Sequence, residues 1–296
     1  MGAERSTSVA AQVPTPGLSQ RLTRFRSERR RRHGSIAYTR TGKIGLPLLS
    51  VLLFGGIWQY VGAHTNPILF TTPIKVAEAF WDLLRTGELW PAFYGSLRDL
   101  GIGYGLAAVV GITIGMAMGR SPVVEKMLNP YVNFFQATPL IALVPLVVIW
   151  FGVNLQARVA ITFILALWSI IINTSTGVKD TSPALLDVGR IYKLNALQVV
   201  GHVQLPNAVP HIFAGLRIAL GKALIGVIIA QMEISITGLG GIVINYGNAF
   251  KTAYLLAGVV TASLVGVVAA VLLEVIRKRV FPWTEDEGGG GWKAAI

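Results

Sequence analysis

Apolar stretches of about 20 residues recur along most of this chain and are separated by shorter polar segments. A helix of ~20 residues crosses the ~30 Å hydrocarbon core of a bilayer, because each residue adds about 1.5 Å. Six stretches are long enough and carry few charges. The pattern predicts an all-α integral membrane protein with six transmembrane helices, at residues 44–63, 100–119, 131–152, 157–178, 212–232 and 253–276.

The composition agrees with a membrane protein and excludes several kinds of site. Of the 296 residues, 53% are hydrophobic and 14% are charged, whereas a soluble domain usually carries about 25% charged residues. The chain has no cysteine and four scattered histidines. The lack of cysteine excludes disulfides and thiolate-bound metals. We therefore expect no metal site in this chain.

Basic residues concentrate ahead of the first apolar stretch. Residues 1–43 hold ten of the 26 Lys and Arg, including four consecutive arginines at 29–32. Basic residues beside a span hold that end in the cytoplasm and can contact anionic headgroups, which we favour over nucleic-acid binding. We predict a mostly disordered cytoplasmic tail at 1–43, a transmembrane domain at 44–282 with a polar loop at 180–211, and a flexible tail at 283–296. The first apolar stretch is interpreted as a retained span, not a cleaved signal peptide.

The split of basic residues between the two sides predicts the orientation. With a cytoplasmic N-terminus, the inner segments hold 19 Lys and Arg and the outer segments hold five. This excess predicts an N-in, C-in topology, with the 180–211 loop in the cytoplasm. Arg217 and Lys222 fall early in the fifth predicted span, from which their side chains can snorkel inward. We therefore expect no cation deep in the membrane.

Local patterns add detail to the first half of the chain. Apolar residues at helical spacing after Pro73 predict a helix on the outer membrane surface.

In the third span, Pro139 and Pro145 each remove a backbone donor, which frees the carbonyls of Phe135 and Ile141. Glycines at four-residue steps predict close helix packing along the second span, and these are Gly101, Gly105, Gly111, Gly115 and Gly119.

Polar side chains inside the predicted spans are candidates for lining a polar path through the membrane. Asn133 and Gln136 lie three residues apart, on one helical face, next to the freed carbonyls. Structural hydrogen bonds between helices are the alternative interpretation. Further candidates for the path are Thr138, Gln231 and Glu233.

The polar stretch at 180–217 interrupts the apolar pattern and predicts two short amphipathic helices. Ser182 can cap the first helix, with Pro183 at its first position. Pro206 is expected to end the second helix, and Pro210 to start a new one that leads into the membrane. A loop helix that rests on the bilayer is the alternative.

The same stretch resembles the cytoplasmic "EAA" loop of ATP-binding-cassette (ABC) importer permeases. That loop reads E-A-A, three residues, G, nine residues, I-x-L-P, and the spacing here matches throughout. Other segments resemble the nitrate, sulfonate and taurine branch of these permeases. In the loop, the matching residues are Leu186-Asp187-Val188-Gly189, Lys193 and Val203-Gln204-Leu205-Pro206. The segments that resemble the branch are Leu128-Asn129-Pro130, residues 136–146, Trp150-Phe151-Gly152, residues 215–221 and Thr237-Gly238-Leu239-Gly240.

The chain departs from the family pattern at a few positions. Asp187 replaces the glutamate, and Val188 and Gly189 replace the two alanines. Lys193 stands where the family has a helix-bending glycine, so we expect the helix to continue straighter there. Gln231 stands where the family has an acid near the end of the fifth span, and Glu233 follows two residues later.

The resemblance implies a type I ABC importer fold in the bacterial inner membrane. It implies a pair of permease copies, two separate ABC ATPase subunits that hold ATP and Mg, and an extracytoplasmic solute-binding protein. This chain would itself hydrolyse nothing and hold no cofactor, and it has no Walker A loop. The residues implied in coupling to the ATPase are Leu186, Asp187, Gly189, Arg190, Lys193, Val203, Leu205 and Pro206.

The resemblance implies a small anion as solute, such as nitrate, a sulfonate, taurine or an organic carboxylate, and a pyrimidine-type vitamin precursor is the alternative within the family. A secondary transporter predicts paired ionisable residues at mid-membrane and an internal repeat, and the sequence displays neither. A membrane anchor is the least favoured alternative, because an anchor has no need of the proline-broken third span.

Overall fold

The computed structural model describes residues 40–66 and 68–281, and within them the chain is all-helical. The tail up to residue 39 and the tail from residue 282 lie outside the described residues. A 3₁₀ segment (Leu140–Leu143) precedes α5, and a π-helical segment (Val200–Gln204) precedes α9. The α-helices are α1 (Arg40–His64), α2 (Pro73–Arg85), α3 (Leu89–Arg120), α4 (Pro122–Ala137), α5 (Val144–Phe151), α6 (Leu155–Lys179), α7 (Pro183–Ile191), α8 (Ala196–Val199), α9 (Leu205–Glu233), α10 (Gly238–Asn248) and α11 (Thr252–Val280).

Several of the described helices are long and apolar enough to cross a membrane. Five meet this criterion, namely those that contain α1, α3, α6, α9 and α11. A sixth is obtained if α4 and α5 count together as one bent span. The described residues thus contain five or six candidate spans, in agreement with a multi-pass membrane protein.

The chain divides into two units, with the boundary inside α1 after Phe54. In the first unit, the described residues are 40–54, a helical stretch whose apolar side chains, such as Val51, are exposed. The second unit begins at Gly55 and contains the remaining described helices.

Helix α6 is the central helix of the second unit. It packs along both α3 and α9, and Ala166, Ile170 and Thr174 are fully buried. A helix that is apolar all round its surface is suited to such an enclosed position. Asn154 caps the helix, because its side-chain oxygen accepts a hydrogen bond from the N–H of Gln156 at 2.8 Å.

The contact of α3 with α6 depends on one row of small residues. Gly103, Gly111, Gly115 and Gly119 each leave no room for a Cβ next to α6. At Gly115 an added Cβ would lie 2.6 Å from the Cβ of Thr174. Gly101 and Gly105 have open space beside them, so the predicted packing role is wrong for these two. The row repeats every four residues through Ala107, which places Gly101 and Gly105 on other faces of the helix.

The third predicted span is sharply broken. The axes of α4 and the Leu140–Phe151 segment differ by 92°. The break lies at Thr138, whose ψ of 136° is extended, because a residue before proline avoids the helical region. Pro145 does not break a helix, since it lies in the first turn of α5, where its missing N–H is tolerated. The expectation that Pro145 frees the carbonyl of Ile141 is wrong, because that carbonyl accepts the N–H of Val144.

Three helix boundaries differ from the prediction. Helix α9 begins at Leu205, with Pro206 in its first turn, and continues through Pro210 to Glu233. The predicted stop at Pro206 and restart at Pro210 are therefore wrong. Pro206 lies in the first turn, where its missing N–H is tolerated, and Pro210 is contained inside the helix. Helix α3 begins at Leu89 instead of residue 100. Helix α10 has no counterpart among the predicted elements.

Helix α2 forms where the spacing predicts it. Thr72 caps it by accepting the N–H of Lys75 at 3.4 Å. Its apolar face, with Val76 and Leu83, is buried in the main hydrophobic core. This face therefore contacts protein, and the position of α2 at the outer membrane surface stays a prediction.

Candidate functional site

The loop between α6 and α9 folds as two short helices, as the sequence predicts. Ser182 caps α7, where its hydroxyl accepts the N–H of Leu185 at 3.4 Å. Asn195 caps α8, and the Asn195 and Gln198 side chains each accept the other residue's backbone N–H at 2.9 Å. Such a capping box satisfies two donors that a helix end would otherwise leave unpaired.

The bend between the two helices is made at Lys193. Its φ of 51° is left-handed, a conformation that usually requires glycine. The Lys193 N–H donates to the carbonyl of Arg190 at 2.9 Å, and the Leu194 N–H donates to that of Gly189 at 3.0 Å. These two bonds form a Schellman motif, which closes the C-terminus of α7. The expectation of a straighter helix is therefore wrong, because a lysine adopts the bend expected of glycine.

Large apolar side chains are exposed on this loop. Ile191, Tyr192 and Leu197 have relative exposures of 77%, 75% and 82%. Asp187 and Arg190 form an exposed ion pair at 2.8 Å between Oδ1 and Nη1. An apolar patch flanked by charges is typical of a surface that binds a protein partner.

The residues expected to couple to an ATPase differ in burial and form three groups. Gly189 is buried below the loop surface, where an added Cβ would lie 3.5 Å from Val199 and 3.9 Å from Val203. The half-buried members of the set are Leu186, Val203 and Pro206, and the exposed members are Asp187, Arg190, Lys193 and Leu205. Their role in coupling stays a prediction.

Polar contacts tie the loop to α3 and α9. At the end of α3, the Arg120 guanidinium donates to the carbonyl of Ala196 at 2.6 Å. The Asn207 amide on α9 donates to the Thr181 hydroxyl at 3.3 Å. These contacts link the loop to two different long helices.

A buried polar cluster lies at the opposite end of α6. Arg158 Nε lies 2.8 Å from Asp99 Oδ2, and both side chains are almost fully buried. The Gln231 amide donates to the same Asp99 oxygen at 3.1 Å, and its carbonyl oxygen accepts the Ser96 hydroxyl at 2.8 Å. Arg158 also donates to Ser235. The cluster therefore joins α3, α6 and the end of α9.

A cavity of about 620 Å³ opens beside this cluster. Arg98, Asp99 and Arg158 line it together with residues of α10. Glu88 also lines it and accepts the hydroxyl of Tyr246 at 2.8 Å. Burial, together with this bond to Glu88, raises the pKa of Tyr246 to about 12.

Gln136 and Thr138 lie in a second cavity, and the other path candidates do not. This groove of about 220 Å³ lies at the α4 break and is also lined by Lys222. Lys222 Nζ lies 3.5 Å from Gln136 Oε1. Thr138 donates its hydroxyl to the carbonyl of Phe134 at 2.7 Å.

The remaining path candidates are distributed elsewhere. The Asn133 amide donates to Asn129 Oδ1 at 3.2 Å, on the same helix. Gln231 is fully buried within the polar cluster, and Glu233 is exposed at the end of α9. The structure thus brings Gln136 and Thr138 together, and the assignment of all five to a translocation path stays a prediction.

Sequence reasoning misses Asp99 and Arg158 and misplaces Lys222. Lys222 is the eighteenth residue of α9, so it lies about 26 Å along the helix from Leu205. It is not near the start of the span, and the expectation that no cation lies deep within a span is wrong. The available signal is the charge itself: an aspartate, an arginine and a lysine each interrupt an otherwise apolar helix.

Comparisons with known proteins agree with this architecture. Residues 108–283 match the family described as "Binding-protein-dependent transport system inner membrane component". The chain is 30% identical over 237 residues to the nitrate import permease protein NrtB of Leptolyngbya laminosa, covering 77% of this chain and 84% of that protein. It is 27% identical over 247 residues to the putative aliphatic sulfonates transport permease protein SsuC of Bacillus subtilis, covering 83% of this chain and 89% of the relative.

The fold is also similar to a solved structure of the MetNI methionine ABC transporter in inward-facing conformations. The TM-score is 0.50 at 18% identity, and the match covers 62% of this chain and 93% of the other. At that identity the likeness concerns the fold alone. The family match over more than half of the chain and the identity to the nitrate permease show that the chain belongs to the binding-protein-dependent transport system inner membrane component family, as an ABC importer permease of the nitrate, sulfonate and taurine branch.

Proposed function

We propose that this chain is the translocating subunit of an ATP-driven importer for a small anion, and that its 180–211 loop docks onto a separate ATPase subunit. The working particle has two permease copies, two ATPase subunits and an extracytoplasmic solute-binding protein, with ATP and Mg held by the ATPase. The chain crosses the bacterial inner membrane six times, with both termini in the cytoplasm.

One observation carries the coupling part of the proposal, namely the exposed apolar patch of Ile191, Tyr192 and Leu197. Its helices are closed by caps and by the Schellman motif, so the patch is held in one shape. A rigid patch costs little conformational entropy on docking, and it can pass the motion of a partner to α3 and α9 through Arg120 and Asn207.

The proposed class of solute is inferred from the names of related proteins. The names of those reported above refer to nitrate and to aliphatic sulfonates. Both solutes are small oxyanions. The topology rests on the excess of basic residues in the segments assigned to the cytoplasm.

Purification from the host membranes tests the docking. A tagged full-length chain, extracted in mild detergent, is expected to bring with it a nucleotide-binding subunit with ATPase activity. Leu197→Ser and Asp187→Arg in the loop are expected to reduce the recovered ATPase several-fold while the permease stays in the membrane.

Leu69→Ser is the matched control, because Leu69 is also highly exposed but lies between α1 and α2. It is expected to leave recovery of the ATPase unchanged. A stable permease particle without any ATPase, or equal recovery from all three variants, contradicts the proposal.

A further inference from the structure

The groove at the break of the third span combines a cation with uncharged polar groups inside an apolar surround. Lys222 on α9 faces Gln136, the second-last residue of α4, across 3.5 Å between Nζ and Oε1. Phe135 and Trp168 stack at 4.6 Å between ring centroids and form part of its wall. The groove is open, so a small solute can enter it.

Lys222 lies deep within a candidate span. About 16 Å of helix separate it from Glu233 at the C-terminal end, and about 26 Å separate it from Leu205. Among the described residues, no acidic side chain forms an ion pair with it. Arg158 is also a cation within a candidate span, but the carboxylate of Asp99 compensates its charge.

An uncompensated ammonium in an apolar span is costly, and such residues usually face a polar path where a charged ligand or water stabilises them. The bent backbone at Thr138 and Pro139 has the same requirement, because irregular backbone at membrane depth occurs where it is covered by protein or lines a cavity. Both features meet in this groove. A small anion that enters it would supply the missing counter-charge.

We propose that Lys222, assisted by Gln136, is an anion-binding point inside the permease, and that it contacts an oxyanion such as nitrate or a sulfonate during passage. The inference rests on the proposed function and deepens it, because selectivity for charge then lies partly in this chain and not only in the solute-binding protein. The ammonium supplies the charge, and the side-chain amide of Gln136 adds a hydrogen-bond donor to the same anion.

The natural absence of cysteine allows a direct test. Ile225→Cys places a thiol on the groove wall, one turn from Lys222 on α9. The full-length chain in membrane vesicles is treated with an anionic reagent, sulfonatoethyl methanethiosulfonate, and with a cationic reagent, trimethylammonioethyl methanethiosulfonate. The ratio of the two rates reports the local charge and cancels changes in thiol reactivity.

Lys222→Gln is expected to lower the anionic-to-cationic ratio by roughly 10-fold, the order that one nearby unit charge gives in a partly aqueous site. Lys222→Arg keeps the ratio. Lys251→Gln removes a lysine outside the groove, before α11, and is expected to leave the ratio unchanged. Added sodium nitrate is expected to slow modification when Lys222 is present and not when it is Gln. Sodium gluconate at the same concentration matches the ionic strength and is expected to slow neither.

Uptake of nitrate and of ethanesulfonate by the assembled transporter separates this inference from the proposed function. If the wild-type transporter takes up anions but Lys222→Gln changes neither the rate ratio nor the KM of uptake, the proposed anion-binding role of Lys222 is wrong. The proposed function as an importer is then unaffected. If nitrate does not slow modification of the introduced cysteine in any variant, including those that retain Lys222, the proposed anion-binding role is also wrong. If the wild type takes up no anion at all, the proposed function itself fails.

Discussion

Two ion pairs in this molecule have the same length and opposite surroundings. Asp99 and Arg158 meet at 2.8 Å with side-chain exposures of 1% and 8%, and Asp187 and Arg190 meet at 2.8 Å with exposures of 60% and 81%. The buried pair joins helices 59 residues apart in sequence, whereas the exposed pair lies within one turn of α7. Distance therefore says little about the contribution of a pair, and its surroundings decide it.

The difference in burial between the two ion pairs matches the positions of the two regions, one inside the helix bundle and one on an exposed loop. The buried polar cluster joins α3, α6 and α9, and a charge left unpaired there is poorly solvated because both side chains are almost fully buried. The loop keeps its charges in solvent, where the pair contributes little to stability and both groups are free to meet a partner. We infer that the cluster stabilises the bundle and that the loop serves recognition.

Asp99→Asn is expected to have the largest effect. It leaves the Arg158 guanidinium buried without its carboxylate, which costs roughly 3–5 kcal/mol of unfolding free energy. Unfolding of the purified chain in mixed detergent micelles measures the loss. Adding Arg158→Gln removes the orphaned charge and is expected to recover part of the stability. A loss below about 1 kcal/mol for Asp99→Asn would show that the pair is hydrated and behaves like the loop pair.

Gly115→Ala extends the contrast from charges to packing. The new methyl group would meet Thr174 and the carbonyl of Ile171 at less than 3 Å, so α3 and α6 must separate, at a cost of roughly 1–3 kcal/mol. Gly105→Ala is the matched control on the same helix, where the space is open, and it is expected to be neutral or slightly stabilising. Equal effects from the two variants, measured by the same unfolding assay, would disprove the glycine row.

Lys193→Gly tests the loop alone. The left-handed φ of Lys193 strains a residue with a Cβ, so glycine is expected to relieve up to about 1 kcal/mol in this motif. The expected result is a small rise in unfolding free energy with ATPase recovery retained. Lys193→Val, whose β-branch opposes a positive φ, is expected to lower both.

Asp187→Asn is expected to have the smallest effect on stability. Because both partners of this pair are exposed, its loss is expected to change the unfolding free energy by about 0.5 kcal/mol or less. The same unfolding assay compares it with Asp99→Asn. A loss as large as that of Asp99→Asn would remove the contrast between the two regions.

The sequence predicts the elements whose physics is local. The apolar stretches, the Ser182 cap of α7 and the break at Pro139 are predictable because each depends on neighbouring residues. The spacing of the loop motif also indicates the family, because it depends only on residue types and on their separation along the chain.

The elements that depend on distant contacts are not predictable in this way. The second span is predicted to start at residue 100, after Arg98 and Asp99, but the helix begins at Leu89. The pairing of Asp99 with Arg158 on α6 is a contact between distant residues, which the local sequence does not reveal. Lys193 predicts a straighter loop helix, because residue type alone does not reveal the two Schellman bonds. By contrast, the depth of Lys222 is predictable, because it is the eleventh of the 21 residues in the predicted span at 212–232, and the expectation of a position near the span end misreads that span.

Cross-linking from the loop tests whether the 180–211 loop receives an ATPase subunit. Leu197→Cys introduces the only thiol in the chain, and it is labelled with a benzophenone maleimide and irradiated in host membranes. We predict that Leu197→Cys captures a nucleotide-binding ATPase subunit and that Leu69→Cys, similarly exposed between α1 and α2, does not. Capture of lipid alone, or the same products from both positions, would contradict the assignment of the 180–211 loop as the surface that receives the ATPase.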